Sequence, residues 1–216
     1  MDASLRRLRA EDISQVVEIE REAFSPLWVS TPFKRELNNR YASYLVAFCG
    51  SEAGVSATPS TDNPTIDRSM WDRVASLTGA ILGRKRVPPA PESSIAGYVS
   101  VWYQGEEAHI TEIAVREPLR GNGIGELLLI GSLRAAMEYG SKVMTLEARV
   151  SNFIAQRLYE KYDFTTVGTR KAYYSDNRED AVIMTTSPIL TEEYEKMFQE
   201  RQEAYRSRWG EIRIHS

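Results

Sequence analysis

Two hydrophobic spacings alternate along the chain, and together they predict a mixture of strands and helices. Apolar residues at alternate positions or in short runs predict strands at residues 4–9, 44–48, 95–103, 109–115, 142–147, 164–173 and 181–186. Apolar residues three and four apart predict helices at residues 11–24, 123–139 and 152–162, with a short helix starting at Thr31. The turn-like residues 104–107 join two of the strands and predict a hairpin.

Two further segments carry helical patterns outside this series. Residues 51–67 are rich in Ser, Thr, Pro, Gly and Asp, which is typical of a loop, and residues 70–82 then place apolar side chains on one helical face. We interpret residues 51–94 as an insertion that carries one amphipathic helix, packed as a surface flap rather than used to bind a partner. After Pro188, a charged helix has Tyr194, Phe198, Tyr205 and Trp209 on one face, which predicts docking on the domain, with dimerisation or contact with a partner as the alternative. The predicted organisation is a domain of residues 1–187 and a helical extension of residues 188–216.

Composition and charge exclude several classes of protein. The net charge is −3, from 27 basic and 30 acidic residues, so a nucleic-acid-binding surface is not indicated. The single cysteine, Cys49, excludes a disulfide framework. The two histidines are far apart in the sequence, and we expect His109 to be an ordinary strand residue and His215 to be a tail residue. We therefore expect no metal site. No run approaches the roughly 20 apolar residues of a membrane span, and the charged N-terminus lacks the apolar core of a signal peptide. We therefore expect a cytoplasmic protein.

The most informative segment is Arg120-Gly121-Asn122-Gly123-Ile124-Gly125, which follows a predicted strand and opens a predicted helix. Glycines at such a turn let successive N–H groups converge on an anion, and the helix N-terminus adds its positive dipole end. Arg120 adds a charged, forked donor. A P-loop is excluded because Glu126 follows Gly125, and the last glycine interval is wrong for a dinucleotide fingerprint. A phosphate site and a plain glycine-rich loop without a ligand both remain open from these residues alone.

A family resemblance enters at this point. Ile113-Ala114-Val115 followed by Arg120-x-x-Gly123-x-Gly125 resembles the acetyl-CoA signature of the GNAT acetyltransferase superfamily. Further segments are similar to the RimI group, the ribosomal-protein N-terminal acetyltransferases: residues 24–28, 146–152, 157–164, 173–174 and 179–184. The resemblance implies an α+β GNAT fold: a mixed, mostly antiparallel sheet, splayed where the thioester arm enters, with helices on both faces. The insertion and the C-terminal helix depart from the group's pattern and leave the substrate open.

The resemblance also implies roles for individual residues. Main-chain groups of Arg120, Gly121, Asn122, Gly123, Ile124 and Gly125 would hold the pyrophosphate of acetyl-CoA, while those of the Ile113, Ala114 and Val115 stretch would bind its pantetheine and acetyl groups. Asn152 would contact the pantetheine arm, Tyr159 would sit beside the sulfur and protonate the leaving thiolate, and Glu147 would be the general base, with Glu112 as a competing base. Trp28, Tyr173 and Tyr174 would be walls of a peptide groove.

The activity implied is direct transfer of an acetyl group from acetyl-CoA to a primary amine, without a metal or an acyl-enzyme. The favoured acceptor is the N-terminal α-amine of a protein, with a ribosomal protein as one candidate. Acetylation of a small-molecule amine or a lysine side chain is the alternative within enzymes. A non-catalytic acetyl-CoA-binding module is the alternative outside them.

Overall fold

The computed structural model describes residues 3–24, 31–49 and 94–215. The predicted helix at residues 70–82 and the candidate groove residue Trp28 lie outside these described residues. The strands are β1 (Ala3–Arg7), β2 (Ala42–Cys49), β3 (Ser94–Gln104), β4 (Glu107–Val115), β5 (Val143–Arg149), β6 (Phe164–Arg170), β7 (Ala181–Thr186) and β8 (Arg213–His215). The helices are α1 (Ile13–Ala23), α2 (Phe33–Glu36), α3 (Ile124–Tyr139), α4 (Phe153–Glu160) and α5 (Glu192–Trp209).

All of the described strands lie in one sheet, in the order β6-β7-β5-β4-β3-β2-β1-β8. Only β4 with β5 and β1 with β8 pair in parallel, whereas the other neighbours are antiparallel. The prediction of a mixed, mostly antiparallel sheet is therefore confirmed, as is the hairpin of β3 and β4.

Helices cover both faces of this sheet because the central strands bury side chains on both sides. In β2, Leu45 and Ala47 face the core under α3, α4 and α5, while Val46 and Phe48 face the core under α1 and α2. The helix α3 lies especially close to the sheet at Gly131, where an added Cβ would come within 2.5 Å of a Leu5 methyl carbon. Gly140 ends α3 with φ of 89°, as its position predicts.

The C-terminal helix packs on the domain, as its aromatic face predicts. Tyr194, Phe198 and Tyr205 are buried in the core shared with α3. Thr191 caps the helix by accepting a hydrogen bond from the Tyr194 N–H at 3.3 Å. Acidic residues fill the first turn of α5 and basic residues its last, which complements the helix dipole.

Two expectations from sequence are wrong. His215 belongs to β8, which pairs with β1, and its ring lies 5.5 Å from that of Phe48, so it is not a residue of a free tail. A strand of this length has no detectable alternation, and only the neighbouring edge of the sheet specifies it. The strand predicted to reach residue 173 ends at Arg170, so Tyr173 and Tyr174 lie in the connection to β7.

Candidate active site

An opening between β4 and β5 lies at the centre of the sheet. The parallel ladder joins residues 107–110 to residues 143–146 and then stops, although β4 remains paired with β3 up to Val115. The register of β4 shifts at this point: Ile110 pairs with Val101 and Glu112 with Ser100, which makes Thr111 the extra residue of a bulge. A bulge bends and twists its strand, which explains why β4 leaves β5 here. The expected splay of the sheet is confirmed.

The glycine turn, which we define as residues 120–125, lies at the end of this opening. Gly121 and Gly123 have φ of 77° and 80°, values that side chains rarely allow. The first helical bond of α3 runs from the Leu127 N–H to the Gly123 carbonyl at 2.9 Å, so the N–H groups of the first turn have no partner within the helix. A Cβ at Gly121 would meet no atom within 4 Å, so the turn is open on that side. These features fit an acetyl-CoA diphosphate, which needs converging N–H donors and room for its oxygens.

Side chains around the turn hold it in shape. The Arg120 guanidinium donates from Nε to the Val115 carbonyl at 3.1 Å, which ties the turn to the end of β4. Asn122 donates to the carbonyls of Leu119 and Arg120, both at 3.2 Å. Asn122 and Arg120 therefore brace the loop while their main-chain groups remain part of the turn.

The bulge also decides which side chains share a face of the sheet. Ala108 and Ile110 face the core under α3, and so do Ile113 and Val115 beyond the extra residue, while Ala114 faces the core under α1. His109 and Glu112 therefore project from the same face, although they are three residues apart. Glu147 joins them there, because its neighbours Leu146 and Ala148 face the opposite core.

Glu147 is held by two cationic or potentially cationic side chains. Its Oε2 lies 3.0 Å from His109 Nε2, and its Oε1 lies 2.9 Å from Arg170 Nε. The hydrogen bond from His109 is the main reason that the pKa of Glu147 is lowered, with Arg170 adding to it and burial acting against it. Glu147 is thus a carboxylate over the neutral pH range.

His109 is the site residue that sequence reasoning missed. Its Nδ1 lies 2.7 Å from Thr145 Oγ1 and its Nε2 lies 3.0 Å from Glu147, so the ring is oriented from both nitrogens. Thr145 in turn donates to Glu107 at 2.7 Å. We call His109, Thr145, Glu147 and Arg170 the carboxylate cluster. No local signal marks His109, but its alignment with Thr145 in the parallel ladder brings it beside Glu147.

Glu112 has a different environment from that of Glu147. It is buried, and it accepts hydrogen bonds from the Tyr98 hydroxyl and the Thr31 hydroxyl, both at 2.8 Å. Burial, reinforced by Glu112, raises the pKa of Tyr98. The two candidate bases thus share a face of the sheet. Glu112 accepts from two neutral hydroxyl groups, whereas Glu147 contacts a guanidinium and an imidazole.

The candidate acid and groove residues meet near the end of β5. Tyr159 is buried on α4, and burial raises its pKa, with Tyr174 as a second cause. Tyr174 stacks under Arg149, whose guanidinium carbon lies 3.8 Å from the ring centroid, and burial raises the pKa of Tyr174 to about 12. Tyr173 is packed edge-on against Tyr174, and Glu147 contributes to its raised pKa after burial. The structure therefore brings both tyrosines towards the carboxylate cluster and Tyr159.

Arg149 anchors the connection that carries these tyrosines. It bonds Asp176 at 2.8 Å and Glu179 at 3.2 Å, and Glu179 accepts from the Ser151 N–H at 2.8 Å. Asn152 caps α4 by accepting from the Ala155 N–H at 3.2 Å, and it is exposed at this end of β5.

In the described ranges, no three His, Cys, Asp or Glu side chains are grouped as metal ligands would be. None of the helices described there is long and apolar enough to cross a membrane.

Comparisons with known proteins agree with this geometry. Residues 71–164 match the acetyltransferase (GNAT) family. A Bacillus subtilis protein, provisionally named a ribosomal protein bS18-alanine N-acetyltransferase, is 33% identical over 183 residues, which cover 84% of this chain and 93% of that protein. An N-alpha-acetyltransferase of Saccharolobus solfataricus is 29% identical over 184 residues, covering 85% of this chain and 92% of that protein. The crystal structure of the ribosomal-protein-S18-alanine N-acetyltransferase from Escherichia coli has the same fold, with a TM-score of 0.61 at 21% identity and coverage of 88% and 96% of the two chains. The chain therefore belongs to the GNAT family and is an acetyl-CoA-dependent acetyltransferase.

Proposed function

We propose that this protein acetylates the N-terminal α-amine of a protein, with a ribosomal protein as the first candidate acceptor. The observation that carries the proposal is the similarity, over more than four fifths of the chain, to proteins named for N-terminal acetylation. We further propose that residues 1–187 form the catalytic domain, with residues 188–216 as its extension.

The chemistry of the acceptor supports an α-amine over a lysine side chain. An α-amine has a pKa of about 7.7–8.0, against about 10.4 for lysine. Deprotonation of the α-amine at a given pH therefore costs about 3.4 kcal/mol less. A site that relies on a carboxylate base gains from this difference, because a carboxylate is a weak base at neutral pH.

The proposed base is Glu147. Its contacts with His109 and Arg170 favour the ionised form, and it projects from the same face of the sheet as His109 and Glu112. A carboxylate of lowered pKa suffices because the nitrogen loses its proton far more readily once it attacks a carbonyl carbon. Glu147 then accepts the proton directly or through a water, and His109 and Arg170 hold its oxygens in place. Glu112 is the competing base.

The remaining roles concern the other reactant. Acetyl-CoA supplies an activated acetyl group on a thiol that leaves as a thiolate. We propose that the glycine turn holds its diphosphate and that the Val115 N–H donates to the carbonyl oxygen as negative charge develops there. Ile113, Ala114 and Asn152 line the arm. Tyr159 keeps its proton because its pKa is raised, and its hydroxyl donates towards the departing sulfur.

A panel of acceptors tests the acceptor class. Purified protein and acetyl-CoA are incubated with peptides that carry a free N-terminus, with the same peptides blocked at the N-terminus but containing lysine, and with polyamines. We expect a mass gain of one acetyl group on the free N-termini alone, placed by fragmentation. Acetylation confined to the blocked peptides or the polyamines would refute the N-terminal proposal. Peptides copied from ribosomal-protein N-termini, beside scrambled versions, test the candidate acceptor.

A further inference from the structure

The last residue of α5 touches the glycine turn. A Cβ built on Gly123 would lie 2.7 Å from Cγ and Cδ2 of Trp209, so the indole ring packs directly on the Gly123 backbone. No side chain larger than hydrogen fits at residue 123 while the ring is there. The glycine is therefore required both for its φ of 80° and for this contact.

Both flanks of Trp209 are fixed to the body of the protein. On one side, α5 is anchored by the buried Phe198 and Tyr205 and by Arg134, which donates from Nε to Gln202 at 3.0 Å. On the other side, the chain turns at Gly210 and forms β8 against β1. The backbone of Trp209 is therefore held in place between a packed helix and a paired strand.

The indole is held by packing rather than by a hydrogen bond. Trp209 Nε1 is buried and has no acceptor among the described residues. The Arg208 guanidinium carbon lies 4.7 Å from the centroid of the ring. Trp209 thus presents the flat face of its ring to the turn and also packs against the core.

We propose that Trp209 is a positioning residue for acetyl-CoA, which braces Gly123 so that the N–H groups opening α3 are aligned before the diphosphate binds. The physical reason is preorganisation: a left-handed glycine next to an exposed turn has many accessible conformations, and restricting them in advance removes an entropic cost of binding. This inference rests on the proposed role of the glycine turn. It also assigns the C-terminal extension a part in cofactor affinity.

The test measures CoA affinity by calorimetry for the full-length wild type and for the variants Trp209→Ala, Trp209→Phe and Phe198→Ala. For Trp209→Ala we expect CoA to bind about 5- to 30-fold more weakly, as for the ordering of one residue's backbone on binding. Trp209→Phe keeps a flat ring and should stay within a few-fold of the wild type. Phe198→Ala removes a buried side chain of the same helix about three turns before Trp209, while Tyr205 and the Arg134–Gln202 bond still anchor the end of the helix, so it should lower the unfolding temperature and keep CoA affinity within a few-fold of the wild type.

Steady-state kinetics separate positioning from a general loss of structure. The KM for acetyl-CoA should rise in Trp209→Ala, while kcat at saturating acetyl-CoA and the KM for the peptide should not change. Trp209→Leu is measured alongside. It also lacks a flat ring, so it replaces the alanine variant if that variant does not fold. Unchanged CoA affinity in the folded alanine or leucine variant overturns the inference. Absence of CoA binding to the wild type would instead overturn the proposed role of the turn.

A double-mutant cycle tests the contact itself. Gly123→Ala should weaken CoA binding because its Cβ meets the ring and because its φ is unfavourable. In the Trp209→Ala background the first of these causes is absent, so the added loss should be smaller. Fully additive losses would show that the ring does not act through Gly123.

Discussion

The glycine turn and the carboxylate cluster make an instructive contrast, because they lie at the same opening of one sheet but are built differently. The glycine turn is a contiguous run of residues 120–125, and its donors are main-chain N–H groups. The carboxylate cluster draws His109 from β4, Thr145 and Glu147 from β5, and Arg170 from β6. The ionisation of Glu147 depends on side chains from different strands that lie within hydrogen-bonding distance of one another, and no single segment of the sequence encodes those distances.

The contrast teaches which region tolerates which change. A main-chain site is sensitive to backbone conformation and to packing, as at Gly123 and Trp209, and it has few side chains to remove. A side-chain cluster can be dismantled one group at a time, and each removal should affect the chemistry while leaving acetyl-CoA affinity nearly constant. The four predictions below test this separation, from the largest expected effect to the smallest.

Glu147→Gln removes the proposed base. We expect kcat/KM to fall by about 100- to 10,000-fold, the range for a lost general base. CoA affinity, measured by calorimetry, should stay within a few-fold of the wild type. Glu112→Gln is the matched control, because the amide oxygen still accepts from Tyr98 or Thr31 in the same place. A larger loss in Glu112→Gln than in Glu147→Gln would reverse the assignment of the base.

Tyr159→Phe removes the hydroxyl proposed to face the leaving sulfur. Because a hydrogen bond to a charged group contributes about 1.5–3 kcal/mol, kcat should fall by about 10- to 150-fold. Tyr162→Phe on the neighbouring turn is the control: its hydroxyl bonds Glu126 at 2.8 Å, away from the carboxylate cluster. Equal turnover in the wild type and Tyr159→Phe, at saturating substrates, would remove the role.

His109→Ala should lower kcat/KM by about 3- to 10-fold near neutral pH, as for one ordinary hydrogen bond. The pH profile gives the sharper readout. His109 is the main cause of the lowered pKa of Glu147, so its removal raises that pKa and moves the acid limb of the profile to higher pH. By the same linkage, the stability that comes from the lowered pKa of Glu147 is present above the unfolded pKa of glutamate and is lost as the pH falls through the folded pKa. His109→Gln, which can still donate, should partly restore the limb, and an unmoved limb contradicts the prediction.

Arg170→Gln should have the smallest effect. The Arg170 side chain is 55% exposed, so water and salt screen its pairing with Glu147, and exposed pairs contribute about 0–1 kcal/mol. We expect less than a fivefold change in kcat/KM, and a smaller shift of the acid limb than in His109→Ala. The wild-type profile should also change little between low and moderate salt. A larger effect than that of His109→Ala would mean that the charge of Arg170, rather than the bond from His109, controls Glu147.

The sequence by itself determined the features that depend on neighbours in the chain. Periodicity located the strands and helices of the described residues apart from β8, glycine chemistry located the turn before α3 and the end of that helix, and the family resemblance identified Glu147, Tyr159 and Glu112 as candidates. Such features are set by local φ/ψ preferences and side-chain spacing, which a linear pattern carries. The resemblance also gave the GNAT fold, and the comparisons confirm it.

Only the tertiary structure decided which distant groups meet. The bulge at Thr111 turned His109 and Glu112 to one face, the parallel register of β4 and β5 put His109 beside Glu147, and the sheet edge at β1 specified β8. The packing of α5 brought Trp209 onto Gly123 across more than eighty residues of chain. Contacts of this kind depend on register and packing between segments, so their physical cause lies in the assembled core and not in any stretch of the sequence.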